Sequence, residues 1–467
     1  MKSHSLSPLD RIIQKIGRLA SENGFPVYAV GGFVRDRLLG IPSREVDFVV
    51  IGNGPGFAEK SKNLLQGHGY VVYERFGTAS FLLDEYKFEF VTARKESYRS
   101  DSRKPEVQET DLATDLERRD FTINAMAMEI GEDGFGQTID PFSGEADLKK
   151  KILRTPLDPE KTFEEDPLRI MRAARFASQL TFRIDPATLA AMREQKARLK
   201  IVSQERISDE LLKILSHPKP SIGFSILKET GILEVVLPEI AALVGVEQKD
   251  SYHHKDVFEH TMKVVDNLAK ESDNLYLRFA GLMHDIGKPR VKRFVEGTGW
   301  TFHNHEQVGE RMLKKLCIRL KLPNEFPKYG QELTHLHMRP IQLIAEDVTD
   351  SAIRRLLFHA GDRIDDLMAL CRADITSGNP ARVKQHLANF NLVTRRMKEV
   401  EEKDRMRAFQ SPVKGDEIMA VCGLPSGPPV GKIKKQLEEA ILDGIIPNDH
   451  DAAYQYLLKI KDEFTSP

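Results

Sequence analysis

Apolar positions first recur at helical spacing, with Ile12, Ile13, Ile16 and Leu19 predicting a helix over residues 8–23 that Asn23-Gly24 stops. The pattern then shortens. Strand-like runs at Val46–Ile51, Tyr70–Tyr73, Ser80–Leu83, Lys87–Thr92 and Ala125–Glu129 alternate with turn-rich segments up to about residue 150. From about Asp158 the spacing is helical again for almost all of the remaining length, as in EEDPLRIMRAARFASQL and QERISDELLKILSH. These patterns predict an α+β head, a small mixed or antiparallel sheet with helices, followed by a long all-α body. A further helical unit spans roughly 250–375, and the Gly/Pro-rich stretch Gly423–Gly431 sets off a tail. No internal repeat or low-complexity tract interrupts this order.

A length of 467 residues allows two to four domains. The division expected is 1–155, 156–245, 246–376 and 377–467. Lys and Arg number 69 against 70 Asp and Glu, so no global field draws in a polyanion and any such contact needs a local basic face. Three widely spaced cysteines, Cys317, Cys371 and Cys422, argue against a disulfide framework or a cysteine zinc site. The N-terminus has no apolar signal region and no run is long enough to span a bilayer, so a soluble, cytoplasmic protein without a membrane partner is expected.

The stretch VYAVGGFVRDRLLGIPSREVDFVVIG, Val27–Gly52, carries the first candidate chemistry. Glu45 and Asp47 are i and i+2 on a strand, so both carboxylates point to one face. Such a pair is best tolerated when a cation bridges it, and two carboxylates with phosphate oxygens suit Mg²⁺. Gly31-Gly32 lets backbone amides approach a phosphate ahead of the short helix FVRDRLL. A glycine turn beside two carboxylates is the equipment of phosphoryl or nucleotidyl transfer. Glu89, in KFEFVTAR, is a third candidate acid, and Arg94 a candidate phosphate partner.

In order and spacing, GGFVRD, REVDFVV, FEFVTAR, LERRDFTINAMA, EEDPLRIMRAARF and QERISDE resemble the motif series of class II tRNA nucleotidyltransferases, the CCA-adding enzymes and bacterial poly(A) polymerases. The resemblance covers residues 25–240 and implies a nucleotidyltransferase head (1–155) and a helical neck (156–245) for base and RNA recognition. It places the Mg²⁺ pair, normally Asp-x-Asp, on Glu45 and Asp47, so Glu replaces the first Asp. It implies nucleotide contacts from Gly31, Gly32 and Arg35, a ribose contact from Asp120, and triphosphate contacts from Arg119 and Asn124. It assigns base reading to Asp166 and Arg169, expected at i and i+3 on one helix, with Arg172 in register and Glu205, Arg206 and Glu210 as support. The basic stretch Ala93–Val107 is expected as a mobile loop. The implied substrates are tRNA, CTP and ATP, the alternatives being a poly(A) polymerase, an A-adding enzyme, or a phosphohydrolase with a degenerate head.

Histidines cluster between residues 250 and 375. His260, then His284-Asp285 closing the apolar run LRFAGLM, then Asp374, resemble the H…HD…D series of HD phosphohydrolases. His305 and His337 are candidates for a second metal position. His253, His254, His303 and His335 are weaker candidates. Imidazole with carboxylate suits Mn, Ni, Fe, Co or Zn more than Mg, and the resemblance implies metal-dependent hydrolysis of phosphomonoesters or cyclic phosphodiesters. The tail, with Lys432, Lys434 and Lys435 opening a helix, resembles the tRNA-binding end of HD-bearing CCA enzymes.

Overall fold

The structure, a computed structural model, describes residues 7–465 apart from 75–76, 100–101, 251–252, 346–348, 377–379, 405 and 407–409. The chain forms two compact units, one running through Ile214 with Ile222–Val236, the other made of Leu215–Ser221 and the chain from Leu237 onward.

The first unit opens with helix α1, Pro8–Asn23, capped by the Ser7 side chain on the Asp10 amide and ended by Gly24 in the left-handed conformation at φ 69°. Strand β1 (Val27–Val30), helix α2 (Gly32–Leu38), strand β2 (Glu45–Val50) and helix α3 (Gly54–Leu65) follow. Next come β3 (His68–Tyr73), β4 (Thr78–Leu83), β5 (Tyr86–Thr92), β6 (Arg94–Arg99), β7 (Ser102–Glu109), α4 (Leu112–Glu117), β8 (Ala127–Gly131) and β9 (Gly134–Ile139). Seven of these strands make one sheet in the order β3-β4-β5-β2-β1-β8-β9. The β2–β5 pair is parallel and its other pairs are antiparallel, giving the mixed sheet expected. Phe48, Phe57, Phe81, Phe88 and Phe90 are fully buried on one side of it. Alternation along β2 sends Val46 and Phe48 into that core and leaves Glu45 exposed and Asp47 half-buried on the opposite face. Helix α1 lies against β8, where Gly17 permits the approach: a Cβ there would stand 1.8 Å from the Gly131 carbonyl oxygen.

The segment expected as a mobile loop at Ala93–Val107 is instead the antiparallel hairpin β6–β7, separate from the main sheet, with Arg94 opposite Glu109 and Glu96 opposite Val107. Its strands are almost wholly polar, so the apolar alternation that marks a strand is absent from the sequence.

Helices α5 (Gly144–Lys150), α6 (Pro159–Glu165), α7 (Leu168–Leu180), α8 (Pro186–Gln195) and α9 (Gln204–Ser216) continue the chain. Asp166 does not share a helix with Arg169. It is extended, at φ −135° and ψ 98°, between α6 and α7. Pro167 disfavours helical backbone at the residue before it and breaks what the apolar spacing reads as one helix.

Among the described residues, the second unit is helical apart from two short hairpins. One apolar cluster runs through it from Val264 and Leu268, by way of Leu357, Leu370 and Phe390, to Leu437, Leu457 and Ile460. Cys317, Cys371 and Cys422 are free and buried. Among the described residues, no helix is long and apolar enough to cross a membrane.

Candidate active site and metal centre

In the parallel β2–β5 pair, Asp47 stands opposite Glu89 and Glu45 opposite Lys87, so the register brings the three candidate acids to one face of adjoining strands. Lys87 Nζ lies 3.5 Å from Glu89 Oε2. Burial, and then Glu89, push the Asp47 carboxyl up to about 6, against the opposing pull of Arg119. Gly31 folds over this point at φ 70°: a Cβ there would meet Arg119 Nη1 at 2.9 Å and Asp47 Oδ2 at 4.0 Å. The turn therefore keeps open a cradle between a carboxylate and a guanidinium.

Arg119 is aimed by Asp115, a fully buried carboxylate whose Oδ2 accepts from Arg119 Nη2 at 3.0 Å while Oδ1 accepts from Arg118 Nη2 at 2.8 Å. Burial alone would raise the Asp115 carboxyl, but Arg119 and Arg118 bring it below its ordinary value. Asp115 carried no motif in the sequence, although its i+3 and i+4 spacing to two arginines is the signal that finds it.

Several residues read from the motifs as nucleotide contacts are committed to one another. Arg35, 3 % exposed, donates to Asp36 and, at 2.8 Å, to Asn124 Oδ1. Asn124 Nδ2 donates to Asp120 Oδ1 at 2.9 Å, and Arg172 Nε donates to Asp120 Oδ2 at 2.7 Å. Burial opposes the Asp120 charge, but Arg172 outweighs it and holds the carboxyl down at about 2. Arg169 is buried and donates to the Thr162 and Arg118 carbonyls and, at 3.4 Å, to Glu165. Asp166 accepts from the Leu168 amide at 3.1 Å and from Arg206 at 3.3 Å. Glu210 binds Arg175 at 2.7 Å and braces α9 on α7. Arg94 opens β6, and its side chain lies outside the described residues.

In the second unit, His260 and His284 come from the helix Val257–Glu271 and the end of Leu275–Met283, and Asp374 from the end of Ile364–Asp374. Asp285 is 1 % exposed and central: its Oδ2 lies 3.2 Å from His284 Nε2 and 3.6 Å from His260 Nε2, its Oδ1 3.3 Å from His305 Nε2 and 3.9 Å from His337 Nε2. Asp374 Oδ1 is 2.7 Å from His260 Nε2. Nδ1 of His284, His305 and His337 faces a carbonyl oxygen, of Gly281, Phe302 and Thr334, at 2.8, 2.9 and 2.6 Å, and His260 Nδ1 meets Thr376 Oγ1 at 2.8 Å. A carbonyl only accepts, so Nδ1 carries the proton and the Nε2 lone pair points inward, the orientation of metal-ligating histidine.

Three observations show that these residues fit a divalent ion. Nε2 of His305 and of His337 approach to 3.2 Å with no proton between them in the neutral form. His284 Nε2 and Asp285 Oδ1 are buried without a hydrogen-bond partner. Burial and the His284 charge drive His337 down to about 3, while Asp285 overcomes burial and draws His284 up to about 10, so that without an ion a proton on His284 Nε2 stands where a cation would. Among the described residues, the groups whose three ligand atoms lie within 4.8 Å of one another are His260-His284-Asp285 and Asp285-His305-His337; Glu45, Asp47 and Glu89 are not gathered so tightly. Lys288, three residues after Asp285, sits 2.6 Å from Asp285 Oδ2. His335 pairs with Glu310 and His303 is exposed, so neither joins the cluster, and the side chains of His253 and His254 lie outside the described residues.

Residues 27–154 match the model of the poly(A) polymerase head domain, 181–243 that of the "Probable RNA and SrmB- binding site of polymerase A", and 257–377 that of the HD domain. The A-adding tRNA nucleotidyltransferase of Deinococcus radiodurans is 33 % identical over 91 % of this chain and 93 % of its own. The chain belongs to the tRNA nucleotidyltransferase and poly(A) polymerase family. The multifunctional CCA protein of Vibrio parahaemolyticus is 37 % identical over 74 % of this chain and 84 % of its own. In fold, the chain is similar to the Bacillus stearothermophilus CCA-adding enzyme in complex with CTP, at TM-score 0.67 and 24 % identity over 98 % of this chain and 99 % of that one. It is similar also to the Thermotoga maritima enzyme complexed with tRNA, at TM-score 0.60 and 22 % identity over 98 % and 97 %.

This tRNA nucleotidyltransferase is thus an enzyme of divalent-metal chemistry, with an HD domain C-terminal to its head in sequence. The Glu45 departure from the family's paired aspartates sits at the exposed start of β2, where one more methylene has room.

Proposed function

We propose that the chain adds CMP and/or AMP to the 3′ end of tRNA from CTP and ATP, without a template. The single observation that carries this reading is the register of β2 on β5, which lines up Asp47 with Glu89 under the Gly31 turn and beside Arg119. Glu45, Asp47 and Glu89 would hold Mg²⁺, which supplies Lewis acidity and neutralises phosphate charge. The chain's own part is to bind and orient. The Gly31–Arg119 cradle receives the triphosphate, and the Asp120–Arg172 pair fixes α7 against the segment that carries Arg119. The tRNA 3′-oxygen bonds to the α-phosphorus, the bond to the β-phosphate oxygen breaks, pyrophosphate leaves and the hydroxyl proton passes to solvent. Asp166 and Arg169 are the base readers in this proposal. Arg169 would exchange its longest contact, the 3.4 Å one to Glu165, for a base acceptor. The divisions 1–155, 156–245, 246–376 and 377–467 then serve as head, neck, HD domain and tRNA-binding tail. The His260–Asp374 group acts as a phosphohydrolase centre holding Mn, Ni, Fe or Co.

The test incubates purified protein and Mg²⁺ with tRNA lacking CCA, or ending in CC, and one labelled nucleotide at a time. Label from CTP on the first tRNA and from ATP on the second supports CCA addition; no label on either tRNA refutes transfer. The end-to-end match to the Deinococcus enzyme favours a second reading, A addition only, marked by ATP label on the CC-ended tRNA alone. Asp47→Ala is expected to abolish incorporation while tRNA binding stays. Arg169→Ala is expected to blur the choice between CTP and ATP, and unchanged selectivity would remove that role.

A further inference from the structure

A two-stranded hairpin, Arg293–Val295 with Gly299–Thr301, projects between the metal-ligand candidates His284-Asp285 and His305. Phe294 is 65 % exposed and Trp300 38 % exposed. Their rings meet edge to face at 5.3 Å and 75°. Lys292 Nζ stands 4.3 Å from the Trp300 ring centroid. Lys292 is the cation set against the rings, and among the described residues it has no carboxylate partner, while Arg293 pairs with Thr301 on the hairpin's other face. One exposed aromatic ring needs no explanation. Two rings in mutual contact, with the Lys292 ammonium against one of them, have the make-up of a surface that stacks a base and attracts its phosphate.

Both feet of the hairpin are tied to the His/Asp centre. On the entering side Lys288 binds Asp285 at 2.6 Å, and Gly287 packs so closely under His305 that a Cβ would stand 2.1 Å from its carbonyl oxygen. On the leaving side the Phe302 carbonyl accepts from His305 Nδ1 at 2.9 Å, and the Phe302 ring lies 5.7 Å from Lys288 Nζ. Trp300 is two residues from Phe302, about 7 Å of extended chain.

We propose that Phe294 and Trp300 form a base-stacking platform that positions a nucleobase while its phosphate reaches the HD centre. The substrates of that centre are then nucleotides, not phosphate esters at large. This rests on reading the His/Asp group as a phosphohydrolase. The ligand chemistry, a purine or pyrimidine ring one ribose away from a phosphate, comes from either an RNA 3′ terminus or a free cyclic mononucleotide. Phe294 and Trp300 are positioning residues and take no part in bond breaking.

Trp300 is the chain's single tryptophan, so its emission reports on the platform without labelling. The full chain, stripped of metal with chelator, is titrated with adenosine 2′,3′-cyclic phosphate, with a short single-stranded RNA ending in a 3′-phosphate, and with ribose 5-phosphate as the baseless control. Saturable quenching by either base-bearing probe but not by ribose 5-phosphate is expected, and the better quencher identifies the source. Phe294→Ala is expected to weaken that binding roughly 5- to 100-fold, the range for loss of one base–aromatic stack, and Phe294→Tyr to restore it. With Mn²⁺ added, Phe294→Ala should raise KM for the base-bearing ester and leave kcat and the KM for ribose 5-phosphate in place. No quenching by either base-bearing probe, or equal quenching by ribose 5-phosphate, overturns the platform. Phosphate release from ribose 5-phosphate without base-dependent quenching sinks the platform alone. Base-dependent quenching without any phosphate release sinks the phosphohydrolase reading alone.

Discussion

Asp115 makes no contact with the candidate metal ligands, yet the position of Arg119 depends on it. Asp115→Asn takes the buried counter-charge from Arg119, at a cost of about 3 kcal/mol. The expected result is a lower melting temperature and a KM for the nucleoside triphosphate raised several-fold. A variant that melts like the parent and keeps its KM would show that Arg119 is held by other means. The sign of the pH dependence follows from the depressed carboxyl. The folded value lies below the ordinary 3.8, so the stabilisation is complete above that pH and is lost as pH falls through the folded value. The difference in melting temperature between parent and variant should therefore be full at pH 7 and shrink below about pH 4, which calorimetry across that range measures.

At the scale of elements, the turn from β1 into α2 depends on one glycine. Gly31→Ala places a methyl group 2.9 Å from Arg119 Nη1 on backbone at φ 70°. That backbone, at φ 70° and ψ −136°, is glycine territory and costs an alanine roughly 1–3 kcal/mol, so the head should melt lower and nucleotide incorporation drop at least tenfold. Incorporation at the parent rate would detach the turn from catalysis. How far the sequence discloses these elements depends on contrast. Helix α1 announces itself by its helical spacing, and strands β2 to β5 by runs of β-branched and aromatic residues between turn segments. Strand β1, Val27–Val30, sits in mid-sheet and is apolar almost throughout, so no alternation separates it from the glycine turn after it. The β6–β7 hairpin hides for the opposite reason, as its residues are nearly all polar. At the sites, the acids and histidines were legible from type and order. What could not be read is which side chains turn inward: Arg35, Asn124 and Arg169 carry motif chemistry but spend it on protein partners, a choice set by packing between distant segments.

For the whole molecule, two compact units imply that unfolding is not a single two-state event. Divalent metal at the HD centre should stabilise the second of them. At a Mn²⁺ or Co²⁺ concentration a hundredfold above its dissociation constant, the unit carrying Asp285 gains about 2.7 kcal/mol, seen as an upward shift of its calorimetric transition. His337→Ala should remove part of that shift, and Asp285→Ala all of it. A shift that survives Asp285→Ala would place the metal elsewhere.

The apolar cluster running from Val264 to Ile460 also decides where this chain can be cut. The recognisable HD segment ends near residue 377, but Phe390, Leu437 and Leu457 from beyond it are buried against Leu357 and Leu370 from within it. A fragment trimmed at that point would present a wide greasy flank to water and clump. The HD segment and the tail therefore fold as one body, and a truncation that removes Phe390, Leu437 and Leu457 would unseat both.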